Sequence, residues 1–356
     1  MPVIGLTSAG HRPFVAGLSR YDLVLPYDHV EVGEGVTSVS PGDLVVARSR
    51  PSTSARSGTP GSLWAVQEIT HRLTRRYGTG VAAWCAEIPG LAGAMAERWE
   101  LTLGEPFPGG NSSAAFRCAR SGGSPAVLKL SPDVAVVAEQ VAMLRLFGAG
   151  GRVPAVLAAD VAAGAVLLEL IEPGTRADEL PRPPSARQWA DLLRALHAAP
   201  VPPDVPRDLR AQCDGFFDRI GRRISDPAIG RRVSAADVRR GAERCRALLA
   251  TATTRVLLHG DLHLGNVLDG GAARGLVAID PRVCAGDPCF DAVDYLLDGA
   301  GRDGVETRCA ALASASGLDA DRLYAWCRAV AAILAILRLG RPGADEAVTE
   351  LLTLAE

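Results

Sequence analysis

The sequence predicts an α+β fold of two lobes, a strand-rich half followed by a helix-rich half. Three observations predict it. Residues 101–131 read as strand, glycine-rich turn, strand, turn, strand. From about 186 to 339 the apolar pattern is that of long helices, broken by short strand-like runs at 255–259, 266–268 and 276–280. The ends of those runs carry His259, Asp261, Asn266 and Asp280, polar groups that strand ends can bring together.

In chain order, residues 1–80 are assigned to an N-terminal extension. Its first 49 residues hold strand-like pieces, "YDLVLPY" and "DLVVARS", but no motif. Residues 50–62, "RPSTSARSGTPGS", have the composition of a linker. The first lobe is expected over 81–172. It opens with a helical segment, "VAAWCAEIPGLAGAMAERWE", and continues through the strands of "LTLGEPFPGGNSSAAFRCARSGGSPAVLKLS". An apolar helix follows over 134–147, stopped by Gly148, and "GAVLLELIEPG" at 164–174 reads as a buried strand ending in a turn. The second lobe, 173–356, is expected to be helical at 186–198, 207–224, 235–250, 287–298 and 319–339.

Composition narrows the function. The chain is 48% hydrophobic and 22% charged, with a formal net charge of −2, ordinary for a globular protein. No Lys/Arg-rich tract indicates a nucleic-acid partner. The longest apolar run, 329–337, is bracketed by Arg328 and Arg338, so it reads as a core helix and not a membrane span. The start, "MPVIGLTSAGHRPF", lacks the basic and apolar regions of a secretory signal. Eight scattered cysteines with no C-x-x-C pair read as reduced, buried thiols. The expectation is a cytoplasmic protein with neither a nucleic-acid nor a membrane partner. Nothing in the sequence sets an oligomeric state.

One lysine occurs in 356 residues, Lys129, inside the apolar run "PAVLKL". The two asparagines are Asn111 and Asn266. In a chain that uses arginine and alanine so heavily, these survivors mark positions where the residue type matters. The most informative segment is 256–299. An apolar strand delivers His259-Gly260-Asp261, Asn266 follows five residues after Asp261, and "GLVAI" delivers Asp280. Two carboxylates and an amide at strand ends form the set that phosphoryl transfer needs: one carboxylate to accept a hydroxyl proton, and an amide and a second carboxylate to hold Mg²⁺ on nucleotide phosphates. The Asp-x-x-x-x-Asn spacing followed by an Asp is similar to the catalytic and metal loops of protein kinases. Lys129 then has a task, since a compact ammonium fits between phosphates where a guanidinium fork does not. Glu139 on the next helix is its expected partner by spacing, with the neighbouring Gln140 as the alternative register. The turn "PGGNSS" at 108–113 can offer backbone N–H groups of Gly109, Gly110, Asn111 and Ser112 to phosphates.

On these residues the chain resembles the aminoglycoside phosphotransferase family, and within it the streptomycin and hydroxyurea phosphotransferase branch. The resemblance is carried by "LTLGEPFPGGNSSAAFRC", "PAVLKL", "VLLELIEPGT", "LLHGDLHLGNVL" and "AIDPRVCAGDPCFDAVDYLL". It spans roughly 81–340. It implies a bilobal protein-kinase-like fold, ATP and Mg²⁺ as cofactors, and O-phosphorylation of a small-molecule hydroxyl acceptor, an activity of antibiotic inactivation or self-resistance. Asp261 takes the catalytic-base role, Asn266 and Asp280 the metal positions, and Lys129 the phosphate anchor. The strand end at Glu169 to Glu172, with Glu169 and Ile171 as candidate nucleotide contacts, matches the interlobe hinge whose backbone meets the adenine. The turn at 108–113 departs from the usual G-x-G-x-x-G pattern. Kinases of small metabolites and nucleotide-binding pseudokinases share these features and stay open as alternatives.

Further residues carry two readings each. His259 belongs with the catalytic set as a hydrogen-bonding support of its loop, and His263 lies near a phosphate or in solvent. A zinc site of His259, His263, Cys284 and Cys289 is disfavoured, because Gly260 and the strand boundary break helical i, i+4 spacing. Asp287, Asp291, Asp294 and Asp298 recur at i, i+4, i+7 and i+11. They form either a solvated helix face, with Asp287 as N-cap ahead of Pro288, or an anionic wall for a cationic acceptor such as the guanidinium groups of streptomycin. By the resemblance, Asp287 and Asp291 support the site.

Overall fold

The computed structural model describes residues 60–108, 112–203, 205, 207–298, 304–339 and 344–356. The strand-like pieces before residue 50, linker residues 50–59, and Gly109, Gly110 and Asn111 lie outside these.

Two helices open the described chain, α1 (Pro60–Tyr77) and α2 (Ala82–Arg98). Residues 60–62, read from composition as the end of a linker, are the first turn of α1. They are followed by β1 (Leu101–Pro106), β2 (Ala114–Arg120), β3 (Pro125–Leu130), α3 (Val134–Phe147), β4 (Val156–Asp160) and β5 (Ala165–Glu169). The strands make one antiparallel sheet in the order β1-β2-β3-β5-β4. Side chains alternate across a strand, so β5 feeds two cores. Ala165 and Leu167 join Ile69, Leu73, Cys85 and Ile88 of α1 and α2, whereas Val166 and Leu168 join α3 and the helical lobe. Both faces of β5 are covered, which is why its sequence is an unbroken apolar run. The buried Ile69 and Leu73, each worth ~2 kcal/mol of burial, dock α1 onto the lobe as part of it. On β3 the same alternation buries Ala126, Leu128 and Leu130 under α1 and α2 and turns Lys129 toward α3.

The helical lobe comprises α4 (Ala186–His197), α5 (Leu209–Gly221), α6 (Pro227–Gly230), α7 (Ala235–Ala250), α8 (Gly271–Arg274), α9 (Val293–Asp298), α10 (Val305–Ser316), α11 (Ala320–Arg338) and α12 (Asp345–Ala355). Short strands β6 (Val256–Leu258), β7 (Val267–Asp269), β8 (Leu276–Ala278) and β9 (Cys284–Gly286) interrupt it, pairing as β6–β9 and β7–β8. Capping boxes Ser185/Gln188 and Ser234/Asp237 start α4 and α7 by satisfying the first free N–H groups. The apolar run 329–337 lies inside α11, which packs against α7, α10 and α12. All eight cysteines are free and buried. Among the described residues no helix is long and apolar enough to cross a membrane.

Two expected helices are modified. The one expected over 207–224 is α5 followed by a 3₁₀ turn, Arg222–Ser225. The one expected over 287–298 is a 3₁₀ turn, Pro288–Ala292, continued by α9. The tighter winding of that turn breaks the i, i+4, i+7 register.

Candidate active site

Strand β6 ends in the loop that holds the candidate base. A buried carboxylate, Asp291 (3% exposed), fixes its shape. Asp291 Oδ2 accepts from His259 N at 2.8 Å and Oδ1 accepts from Gly260 N at 2.9 Å, with His197 Nε2 3.1 Å from Oδ2. Burial works against the Asp291 charge, but His197, His259 and the Gly260 amide outweigh it and hold the carboxyl below its ordinary pKa. Gly260 has φ 78, and a Cβ there would collide with the Arg282 carbonyl, so only glycine makes this turn. Gln212 Nε2 donates to Gly260 O at 2.6 Å and Arg282 N donates to His259 O at 2.8 Å.

His259 is fully buried. Its Nε2 lies 3.0 Å from Ile279 O, and its Nδ1 receives Asp261 N at 3.4 Å. A carbonyl only accepts, so Nε2 carries the proton and Nδ1 is the acceptor. Burial pushes the ring pKa down, in keeping with a neutral imidazole. His259 therefore ties the Asp261 loop to the strand end before Asp280. The structure places His259 in the supporting role expected of it; its place among the catalytic residues is corrected, because a fully enclosed ring cannot meet a substrate.

Asn266 closes the loop. Its Nδ2 donates to Asp261 O at 3.0 Å and lies 3.4 Å from Asp261 Oδ2, and its backbone O accepts from Ile279 N at 2.8 Å. With the amide nitrogen committed, Oδ1 is the atom left to meet a cation. One residue beyond Ile279, Asp280 sits at φ 55, a left-handed backbone that asparagine and aspartate tolerate better than most residues. Lys129 Nζ lies 2.6 Å from Asp280 Oδ1, and Gln140 Nε2 donates to the same oxygen at 2.7 Å. Enclosure opposes the Asp280 charge, but Lys129 and then the Gln140 hydrogen bond prevail and lower its pKa.

The partner expected for Lys129 is corrected. Glu139 does not reach it; Glu139 forms an ion pair with Arg207 instead. On α3 the buried side chains Val137, Gln140, Val141 and Leu144 share one face, and at 100° per residue position 139 lies on the opposite side. Periodicity alone contained that signal. His197, Gln212 and Arg207 have no comparable signal, since each meets the site from a distant element.

The aspartate stripe does not form one wall. Asp287 is the N-cap, accepting from Cys289 N at 3.0 Å, but it is 2% exposed and also accepts from Arg322 Nε and Trp326 Nε1, each at 2.6 Å. Asp287 and Asp291 thus point into the lobe. Asp298 lies 3.6 Å from Arg338. Asp294 stays partly exposed; burial, with Asp261 and Asp298 as neighbouring negative charges, pushes its carboxyl up to about 7. His263, expected near a phosphate or in solvent, is buried, and burial lowers its pKa.

At the hinge, the Glu169 carboxylate is occupied by Ala155 N at 3.0 Å and by Arg274, and Ile171 is buried. That leaves backbone as the material for recognising a base. Ser112, at the end of the glycine-rich turn, presents its carbonyl to Tyr77 Oη (3.1 Å) and Ser131 Oγ (2.9 Å).

Comparison with known proteins agrees with this geometry. The family model described as aminoglycoside/hydroxyurea antibiotic resistance kinase matches residues 98–339. A hydroxyurea phosphotransferase from Kitasatospora aureofaciens is 33% identical over 270 residues, 74% of this chain and 77% of that protein. A streptomycin 6-kinase from Streptomyces glaucescens is 30% identical over 266 residues, 71% and 83% of the respective chains. Among solved structures, a choline/ethanolamine kinase family protein from Mesorhizobium loti superposes with a TM-score of 0.54 at 20% identity, covering 76% of this chain and 94% of that one. The last likeness is one of fold. The match over 98–339 and the two relatives establish that this chain belongs to the aminoglycoside/hydroxyurea antibiotic resistance kinase family.

Proposed function

We propose that this phosphotransferase moves the γ-phosphoryl group of ATP onto a hydroxyl of a small antibiotic, with a streptomycin-like aminoglycoside or hydroxyurea as acceptor. The observation that supports it most is the convergence of Lys129, Asp261, Asn266 and Asp280, drawn from both lobes, around one buried hydrogen-bonded frame. Nucleotide between the strand-rich lobe, with α1 and α2 packed on its sheet, and the helical lobe would meet the backbone of Glu169 to Glu172.

In this reading the carboxylate of Asp261 accepts the acceptor's hydroxyl proton as the oxygen attacks phosphorus. The Asn266 amide hydrogen-bonds that aspartate and keeps it aimed. Lys129 holds phosphate oxygens by charge. The donor set fits Mg²⁺: an amide oxygen and a carboxylate are hard oxygen ligands, and Asp280 is already kept ionised by Lys129. Mg²⁺ bound there would neutralise phosphate charge. Position and electrostatics carry the catalysis, so no covalent enzyme intermediate is required. Asp261 and Asp294 are the carboxylates that a cationic acceptor would approach. Asp287 and Asp291 are engaged inside the lobe and cannot serve.

The experiment is ADP release from Mg-ATP with streptomycin, hydroxyurea and a panel of other hydroxyl acceptors, with Asp261→Ala as control. Asp261-dependent turnover with streptomycin or hydroxyurea is expected. Asp261-dependent turnover with neither, but with a metabolite such as choline, overturns the acceptor assignment. Full turnover by Asp261→Ala overturns the mechanism.

A further inference from the structure

Gln140 is the polar member of the inward face of α3, and the reaction as described leaves it without a task. It is 7% exposed, and a buried amide left without a partner is destabilising. Its partner is Asp280 Oδ1, the oxygen that Lys129 also holds. We infer that Gln140 is a positioning residue that, by sharing Oδ1 of Asp280 with Lys129, determines which carboxylate oxygen faces the metal. The inference rests on the reading of Asp280 as a metal ligand.

A carboxylate oxygen has two lone pairs. Donors at 2.6 and 2.7 Å occupy both on Oδ1, so Oδ2 is the atom left for a cation. Gln140 makes its contact with this carboxylate from the opposite lobe.

An amide suits this position better than a carboxylate. Gln140 donates without adding charge, and the carboxylate that Lys129 meets is that of Asp280. A glutamate would set a second negative charge against Asp280 and compete for Lys129. The glutamate next to it, Glu139, faces away and is neutralised by Arg207. Residues 139 and 140 therefore tie α3 to two segments of the helical lobe, one before α5 and one after β8, and the Gln140 tie ends on the candidate metal ligand.

The test uses the full chain with Gln140→Met, which keeps side-chain length and apolar packing but removes the donor. Calorimetry measures ADP binding across a Mg²⁺ titration with no acceptor present, alongside the Tm of the nucleotide-free protein. Removal of a group that orients a metal ligand typically weakens metal binding 10–100-fold. The Mg²⁺ concentration for half-maximal ADP binding should rise about tenfold. A lowered Tm with an unchanged Mg²⁺ midpoint would make Gln140 a packing residue and overturn the inference. Asp280→Asn separates the two levels. If it abolishes the Mg²⁺ response while Gln140→Met leaves it as in the wild type, the Gln140 inference alone fails. If Asp280→Asn keeps the wild-type response, the metal assignment fails first and takes the inference with it.

Discussion

Asp280 and Asp291 both accept hydrogen bonds from several donors, and both have carboxyls held below their ordinary pKa. They differ in where the donors come from. Asp291 is served within the helical lobe by two backbone amides and His197. Asp280 is served across the cleft by Lys129 and Gln140, side chains of the other lobe. A carboxylate saturated by its own lobe is structural, because nothing a ligand does can replace its donors. A carboxylate held from across a cleft sits where a cation and phosphates can rearrange its partners. Charge alone does not distinguish the two, and neither does proximity to Asp261 in sequence.

Three variants put this contrast to the test. The largest effect belongs to Asp291→Ala, which strands the buried His259 and Gly260 amides and His197. Removing one partner of a buried charged network costs ~3–5 kcal/mol, read as a lowered midpoint in urea. A stability near that of the wild type would show that Asp291 is not the frame of the loop.

Next is Lys129→Arg, which keeps the charge across the cleft but broadens the head group. Turnover should fall about a hundredfold, the range for losing one charge-stabilising donor, while the urea midpoint barely moves. Near-normal kcat would refute the steric reason for the single lysine.

The smallest is Asp294→Asn. With its folded-state carboxyl pushed up to about 7 against 3.8 ordinarily, the native state retains a proton that the unfolded chain has lost between those values. Its contribution is therefore favourable at low pH and is lost as pH rises toward 7. Partial exposure screens the effect. Relative to the wild type, Asp294→Asn should gain about 3 °C in Tm between pH 5 and pH 8. An identical pH dependence in the two proteins would remove the crowding of Asp261, Asp294 and Asp298.

Much of the order of strands and helices was legible because periodicity and capping are local, although β4, β9, α10 and α12 were not foreseen. β6, β7 and β8, α4, α7 and α11 lie where apolar pattern and cap residues place them. The helix α1 was hidden, since its sequence is polar and arginine-rich; among its described side chains the buried apolar ones are Ile69 and Leu73. Its first turn also shares the composition of a linker. The stripe of four aspartates was misread for the complementary reason. It presumes one uniform helix, and the 3₁₀ turn over Pro288–Ala292 turns Asp287 and Asp291 inward.

Residue identity and spacing set the chemistry on offer. One lysine, a base candidate, an amide and a second carboxylate stand at strand ends, with spacings that only a few reactions use. Which donor meets which acceptor was decided by the tertiary structure. Lys129 and Asp280 are 151 residues apart and Gln140 and Asp280 are 140 apart. The choice of Gln140 over Glu139 follows from the rotation of α3 against the helical lobe, and the role of Asp291 from the depth at which its loop is buried. Local sequence sets which groups a segment carries. The packing of distant segments sets which of them stay in water and which must find a partner, because an unpaired polar group in the interior costs more than any local propensity returns.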